Sequence, residues 1–174
     1  MQIGWFACVL GAAYQMPWVG PVVSLPMVVW HVARSSQRNA ELRFVLCAIV
    51  IGLILDSVLA SAGFIHFASG IVLMGFTTPW MLSLWMGFAI TLNHSLKWLV
   101  AKPLLAVLFG LLGGPVAYWS GTRLGAMTFG TAWPSLIAIG IGWALAMGIF
   151  VLVARRNTSV HQAVLACVGG TIDC

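Results

Sequence analysis

Asp56 has the strongest claim to chemistry in this sequence, because it is the only acid inside an apolar run. That run, Phe44 to Gly63, is long enough to cross a bilayer as a helix. Counted from Phe44 at ~1.5 Å per residue, the carboxyl falls ~18 Å into a ~30 Å hydrocarbon core. A lone carboxylate at that depth needs a base, a proton or water beside it. At helical spacing Ala48, Gly52, Asp56 and Ala60 form one row, with Gly63 close to it. A stripe of small residues lets another helix approach, so Asp56 is expected to face protein. His66 and Arg123 fall in connectors on the same side of the membrane, and Tyr118 can add a hydrogen bond. Asp56, His66, Tyr118 and Arg123 therefore make one candidate polar site. Its acid either couples to a proton or a solute, or fixes helix packing through one buried contact.

A second cluster falls toward the other membrane face: His31, Arg34, Asn93, His94, Lys97 and Trp98. Asn93 and Lys97 are a helical turn apart, as are His94 and Trp98. Their cations and the amphipathic indole suit an anionic lipid headgroup. The bland alternative has Arg34 and Lys97 snorkelling while Asn93 and His94 bond between helices. Two histidines on different helices can ligate haem, but no further haem signal accompanies them, and no cofactor is expected. No CxxC, HExxH, GxSxG, phosphate-binding loop or paired acidic motif occurs, so the sequence points to no metal and no nucleophile. Cys8 and Cys47 sit in apolar runs and read as small hydrophobes.

The elements that must position these residues are membrane helices. Hydrophobic residues make up 61% of the 174 and charged residues 6%, with a mean hydropathy of +1.05. A soluble domain normally carries about 25% charged residues. Such a chain cannot cover a water-facing globule, and the expected fold is an all-α polytopic transmembrane bundle. The net charge of +5 lies between apolar runs, so it reads as a topology signal and not as nucleic-acid binding. The N-terminus shows no cleavable signal pattern.

In chain order, Ile3 to Val32 is interrupted by Pro17, Gly20, Pro21 and Pro26. It is either one bent crossing or two shorter segments. Phe44 to Gly63 follows, then a mildly apolar stretch from Phe64 to Thr78, expected to be partly buried without crossing. Pro79 opens a span to about Trp98, with Thr78 as its N-cap. Pro103 opens another to Tyr118 or Trp119, which Gly114-Pro115 is expected to open locally. A last span runs from about Trp133 to Ala154. Alternate loops hold Arg34/Arg38/Arg43, Lys97/Lys102 and Arg155/Arg156. The positive-inside rule then gives five crossings with a cytoplasmic C-terminus, or six if the first region splits. Residues 1–156 form the bundle and 157–174 a cytoplasmic tail, mobile or interfacial. Gly110/Gly114, Gly113/Ala117/Gly121 and Gly140/Ala144/Gly148 are candidate packing rows. No long repeat stands out. The Pro-Trp pairs at Pro17-Trp18, Pro79-Trp80 and Trp133-Pro134 read as helix starts.

Over most of its length, and most strongly from Asp56 to Ala126, the chain resembles a bacterial inner-membrane family, domain of unknown function 2878. The residues that carry the likeness are Asp56 with Gly63, Pro79-Trp80, Leu84-Trp85, Phe88-Ala89, Asn93-His94-Ser95-Leu96 and Trp98-Leu99. Gly114-Pro115, Ala117-Tyr118, Gly121 and Leu124-Gly125-Ala126 complete it. The resemblance implies a multi-pass protein of the inner membrane and no established activity. Three functions fit these readings: carriage of a small or lipid-like solute with Asp56 as its polar switch, an enzyme acting on lipid, or an assembly subunit. The expected partners are membrane lipids and either another membrane protein or a second copy.

Overall fold

A computed structural model describes residues 2–69, 77–94 and 97–168, the side chains of Asn93, Lys97, Val100 and 156–168 excepted. Its helices are α1 (Gln2–Ala13), α2 (Val19–Arg34), α3 (Arg38–Ser61), α4 (Pro79–His94), α5 (Lys97–Val100), α6 (Pro103–Arg123) and α7 (Ala132–Val168). Two short strands, β1 (Ile65–Phe67) and β2 (Met127–Phe129), pair antiparallel. The expected all-α bundle is thus helical with a β ribbon added. Three helices, Arg38–Ser61, Pro103–Arg123 and the segment Ala132–Arg155 of α7, are long and apolar enough to cross a membrane. Large apolar side chains such as Leu46, Ile54, Leu112, Ile137 and Leu145 point outward from them.

The first apolar region is a hairpin of two helices. Pro17 lies in the turn between them, Gln15 takes a positive φ of 61°, and Pro26 is carried inside α2. Gly20 lets α2 lie directly on Cys8 of α1: a Cβ there would come within 2.8 Å of the Cys8 backbone. Further along, Ser24 Oγ lies 3.6 Å from Cys8 Sγ.

The remainder is built twice. α3 and α6 both end at a glycine with positive φ, Gly63 at 73° and Gly125 at 83°. In each the following N–H reaches back into the last turn: Phe64 to the Leu59 carbonyl, Ala126 to the Gly121 carbonyl. This left-handed cap stops the helix and launches a three-residue strand. The offset between the halves is 62 residues, from position 63 to position 125. The buried residues of α6 are Ala106, Gly110, Gly114, Tyr118 and Gly121; those of α3 include Phe44, Ala48, Gly52, Asp56 and Leu59, the same positions 62 residues earlier. In the ribbon His66 stands opposite Thr128, its own counterpart, so a local two-fold passes through that pair. After the strands the offset falls to 58, from Trp85 to Trp143. Met81, Ala89 and Leu92 on α4 then correspond to Ile139, Met147 and Phe150 on α7, all buried. A long repeat, absent from the sequence reading, is therefore present in the fold.

Several boundaries differ from expectation. α4 opens at Pro79 as read, but the buried Thr78 hydroxyl has no hydrogen-bond partner among the described residues and does not cap it. α4 is described to His94; residues 95–96 lie outside the described residues, and Trp98 falls in α5. The stretch expected to be non-crossing begins with β1, and its residues 70–76 lie outside the described residues. α6 runs through Pro115 to Arg123 without opening; the Leu111 carbonyl, which Pro115 cannot bond, is approached by Gly140 of α7. α7 continues as helix past Arg155-Arg156 to Val168, beyond the span end read at Ala154. Gly110, Gly114 and Gly140 are close-packed between α6 and α7. A Cβ at Gly113 would touch only its own helix's Phe109 and one at Gly148 nothing, so those two do not make a packing face.

Candidate functional site

Asp56 is wholly buried, on the row that the spacing of small residues defined. Its carboxylate accepts hydrogen bonds from two side chains. Trp85 Nε1 donates to Oδ2 at 2.8 Å, and the Tyr118 hydroxyl donates to Oδ1. Three helices supply this node: α3 the acid, α4 the indole and α6 the phenol. Asp56 and Tyr118 occupy equivalent positions of the two halves, so the bond between them crosses the local two-fold. The glycines one turn earlier make the approach possible. At Gly52 a Cβ would collide with the Trp85 indole, and at Gly114 with the Trp143 indole. Trp85 and Trp143, also equivalent, stack with centroids 4.4 Å apart and planes inclined by 16°.

The node forms one wall of a cleft of ≈ 120 Å³. Aromatic side chains dominate its lining: Trp5 of α1, Trp80, Trp85 and Phe88 of α4, Tyr118 of α6 and Trp143 of α7. The cleft exists because the two-fold is imperfect. α3 packs on α7, whereas the equivalent pair, α4 and α6, has no comparable contact. α1 and α2 pack on α4 instead.

The other residues read into this site lie elsewhere. His66 is exposed on the ribbon, and Arg123 sits over the Trp119 ring at 5.7 Å, at the end of α6. Neither bonds the acid. In the second cluster His31 and His94 are brought together, rings edge-to-face with centroids 4.3 Å apart. His94 Nε2 lies 2.8 Å from Glu41 Oε1. Arg34 covers the Trp30 ring at 4.5 Å, Trp98 is exposed, and the side chains of Asn93 and Lys97 lie outside the described residues.

Sequence reasoning passed over Trp85 and Trp143 as functional residues, and over Glu41 as more than a loop charge. One signal was available: tryptophans in mid-span depart from the interfacial belt where such residues collect, and so call for a buried partner. Glu41 gave none, since it stands among arginines in a polar stretch.

A bundle of apolar helices, doubled about a local axis and holding one acid between the halves, defines the class of protein. The chain belongs to the family described as "Protein of unknown function (DUF2878)", whose model matches residues 1–149. No curated protein and no solved structure matches it.

Proposed function

We propose that this is an integral protein of the bacterial inner membrane that takes the apolar part of a lipid-like solute into the aromatic cleft, with Asp56 as the polar switch behind it. The observation that carries the reading is the cleft itself: an apolar, aromatic-lined opening whose wall is made by the two donors of a fully buried carboxylate. A dry cavity of about 150 Å³ is enough to hold benzene. A cleft of ≈ 120 Å³ therefore suits one ring or a few methylenes, with the rest of the solute lying along the helices. Losing or gaining a proton on Asp56 changes what it accepts from Trp85 and Tyr118. Both line the cleft, so its shape follows the state of the acid.

Six crossings fit this chain better than five. The turn between α1 and α2 lies at the ribbon end, where Gln15 Nε2 donates to the Ala68 carbonyl and Ser69 Oγ to that of Ala12. The far end of α2 meets His94 at the opposite end of the bundle. α2 thus reaches from one end toward the other with the shorter α1 packed beside it, and with the pair as two crossings the positive-inside rule puts both termini in the cytoplasm.

The test is labelling of the purified protein in native-like vesicles by a photoreactive fatty-acid analogue. Residues of α4 and α6 around the cleft should be labelled in the wild type. Gly121→Leu fills the cleft from α6 and should abolish that labelling; Asp56→Asn should reduce it. Equal labelling of wild type and Gly121→Leu, confined to the outer face of α7, would overturn the reading.

A further inference from the structure

We propose that His31, Glu41 and His94 bind a divalent first-row transition-metal ion at the end of the bundle opposite the β ribbon. One ligand comes from each of α2, α3 and α4. Their donor atoms all lie within 4.8 Å of one another, the His94–Glu41 pair at 2.8 Å. In a tetrahedral site with bonds of about 2.1 Å, donors stand roughly 3.4 Å apart. Closing on an ion therefore asks the widest pair to approach by about 1.4 Å and the His94–Glu41 pair to part by about 0.6 Å, within reach of side-chain rotation.

Two observations independent of that spacing point to a ligand. His31 Nε2 is buried with no hydrogen-bond partner among the described residues. An imidazole nitrogen left so is an unmet buried polar group. Both histidines also line a cavity of ≈ 290 Å³ whose wall includes Ser24, Met27, Gly87 and Thr91. Two imidazoles on a cavity wall, with the Glu41 carboxylate beside His94, leave coordination positions for water or a small ligand, the arrangement of an open metal site and not of a closed structural one.

The donor set narrows the ion. Two imidazoles and one carboxylate suit Zn²⁺ and its divalent neighbours, whereas Mg²⁺ and Ca²⁺ favour oxygen and Cu⁺ favours sulfur. The site is absent from the sequence motifs because its ligands are spread over positions 31, 41 and 94. The two half-repeats do not share it: the α7 counterpart of His94 is Leu152, exposed and apolar. The inference does not depend on the aromatic cleft.

The experiment uses the full chain, purified in detergent with its affinity tag removed, stripped of metal and dialysed against Zn²⁺. Bound metal is counted by mass spectrometry and affinity measured by competition with a chelator. Wild type should hold one equivalent per chain. His31→Ala and His94→Ala should each weaken binding by more than the ~10–100-fold that loss of an outer-shell partner causes. Arg34→Gln should bind as wild type. Co²⁺ in place of Zn²⁺ should give visible bands of a low-coordinate site, lost in His94→Ala. Size exclusion and circular dichroism check folding, and half-exposed His94 can be replaced even where His31 cannot. Zn²⁺ held equally by wild type and His94→Ala, or no stoichiometric Zn²⁺ in wild type, would overturn the proposal.

Discussion

The two half-repeats share a backbone plan but treat one helix face in opposite ways. On α7 the row Trp133, Ile137, Ile141, Leu145 and Ile149 is exposed and apolar. The equivalent α4 positions, 58 residues earlier, include Ser83, Gly87, Thr91 and, at the end of the row, His94. Small and polar residues there let α1 and α2 pack against α4. The lesson is that what the halves share makes the scaffold and what differs between them makes the sites. The half covered by the hairpin carries the histidine pair's His94 and one wall of the cleft, while its counterpart has an outward apolar surface. The same divergence appears at the axis, where one half supplies an acceptor, Asp56, and the other a donor, Tyr118.

Four substitution sets would break or sharpen this comparison, read as thermal stability in detergent. The largest effect belongs to the axis. Asp56→Ala leaves the Trp85 and Tyr118 donors buried without an acceptor, at about 1–3 kcal/mol each. Asp56→Asn should be far milder, since an amide oxygen can take the indole N–H while its NH₂ donates to the Tyr118 oxygen. If Asn destabilises as much as Ala, the node needs charge and not shape.

Next come Gly52→Ala and Gly114→Ala. Each drives a methyl into a stacked indole, so overpacking of about 1–3 kcal/mol should outweigh the gain in helix propensity. Similar losses at both positions would show that the halves remain equivalent around the tryptophan pair. A loss at one alone would show that they do not.

The two faces give the third test. Ser83→Leu inserts bulk where α4 is covered and should cost about 1–2 kcal/mol. Its counterpart Ile141→Ser, on the exposed row, should change stability by about 0.5 kcal/mol or less. Equal effects would mean that the α7 row is covered by something in the assembled protein. The smallest effect is at the caps. Gly63→Ala and Gly125→Ala meet no close neighbour, so only the left-handed backbone is penalised, by about 1 kcal/mol at each.

What the sequence made legible followed from periodicity. The row through Asp56 is buried as its small residues require, and helix starts at Pro79 and Pro103 follow from proline's fit to a first turn. The ribbon was illegible because three residues cannot display an alternation, and Ile65–Phe67 and Met127–Phe129 are each bracketed by short turns. The repeat was hidden because it survives in residue size and burial more than in identity. Its offset also changes between Phe67 and Trp85, where the first connector is longer than the second. Tyr118 could be read as a hydrogen-bonding neighbour of Asp56. Arg123 and His66 shared only a membrane side with it, and side alone does not bring side chains into contact. Glu41 joined the histidines through the packing of α3 against α4, which no local spacing encodes.

The β ribbon has a mechanical consequence. Its hydrogen bonds, extended by Ala68 N–H to the Ala126 carbonyl and Gly130 N–H to the Phe64 carbonyl, fasten the two halves backbone to backbone at one extremity. At the other extremity the chain itself ties them, since α5 joins the end of α4 to the start of α6. The molecule is therefore strung like a bow, fastened at both ends. Any spreading of α4 from α6 is smallest at the two ties and widest between them.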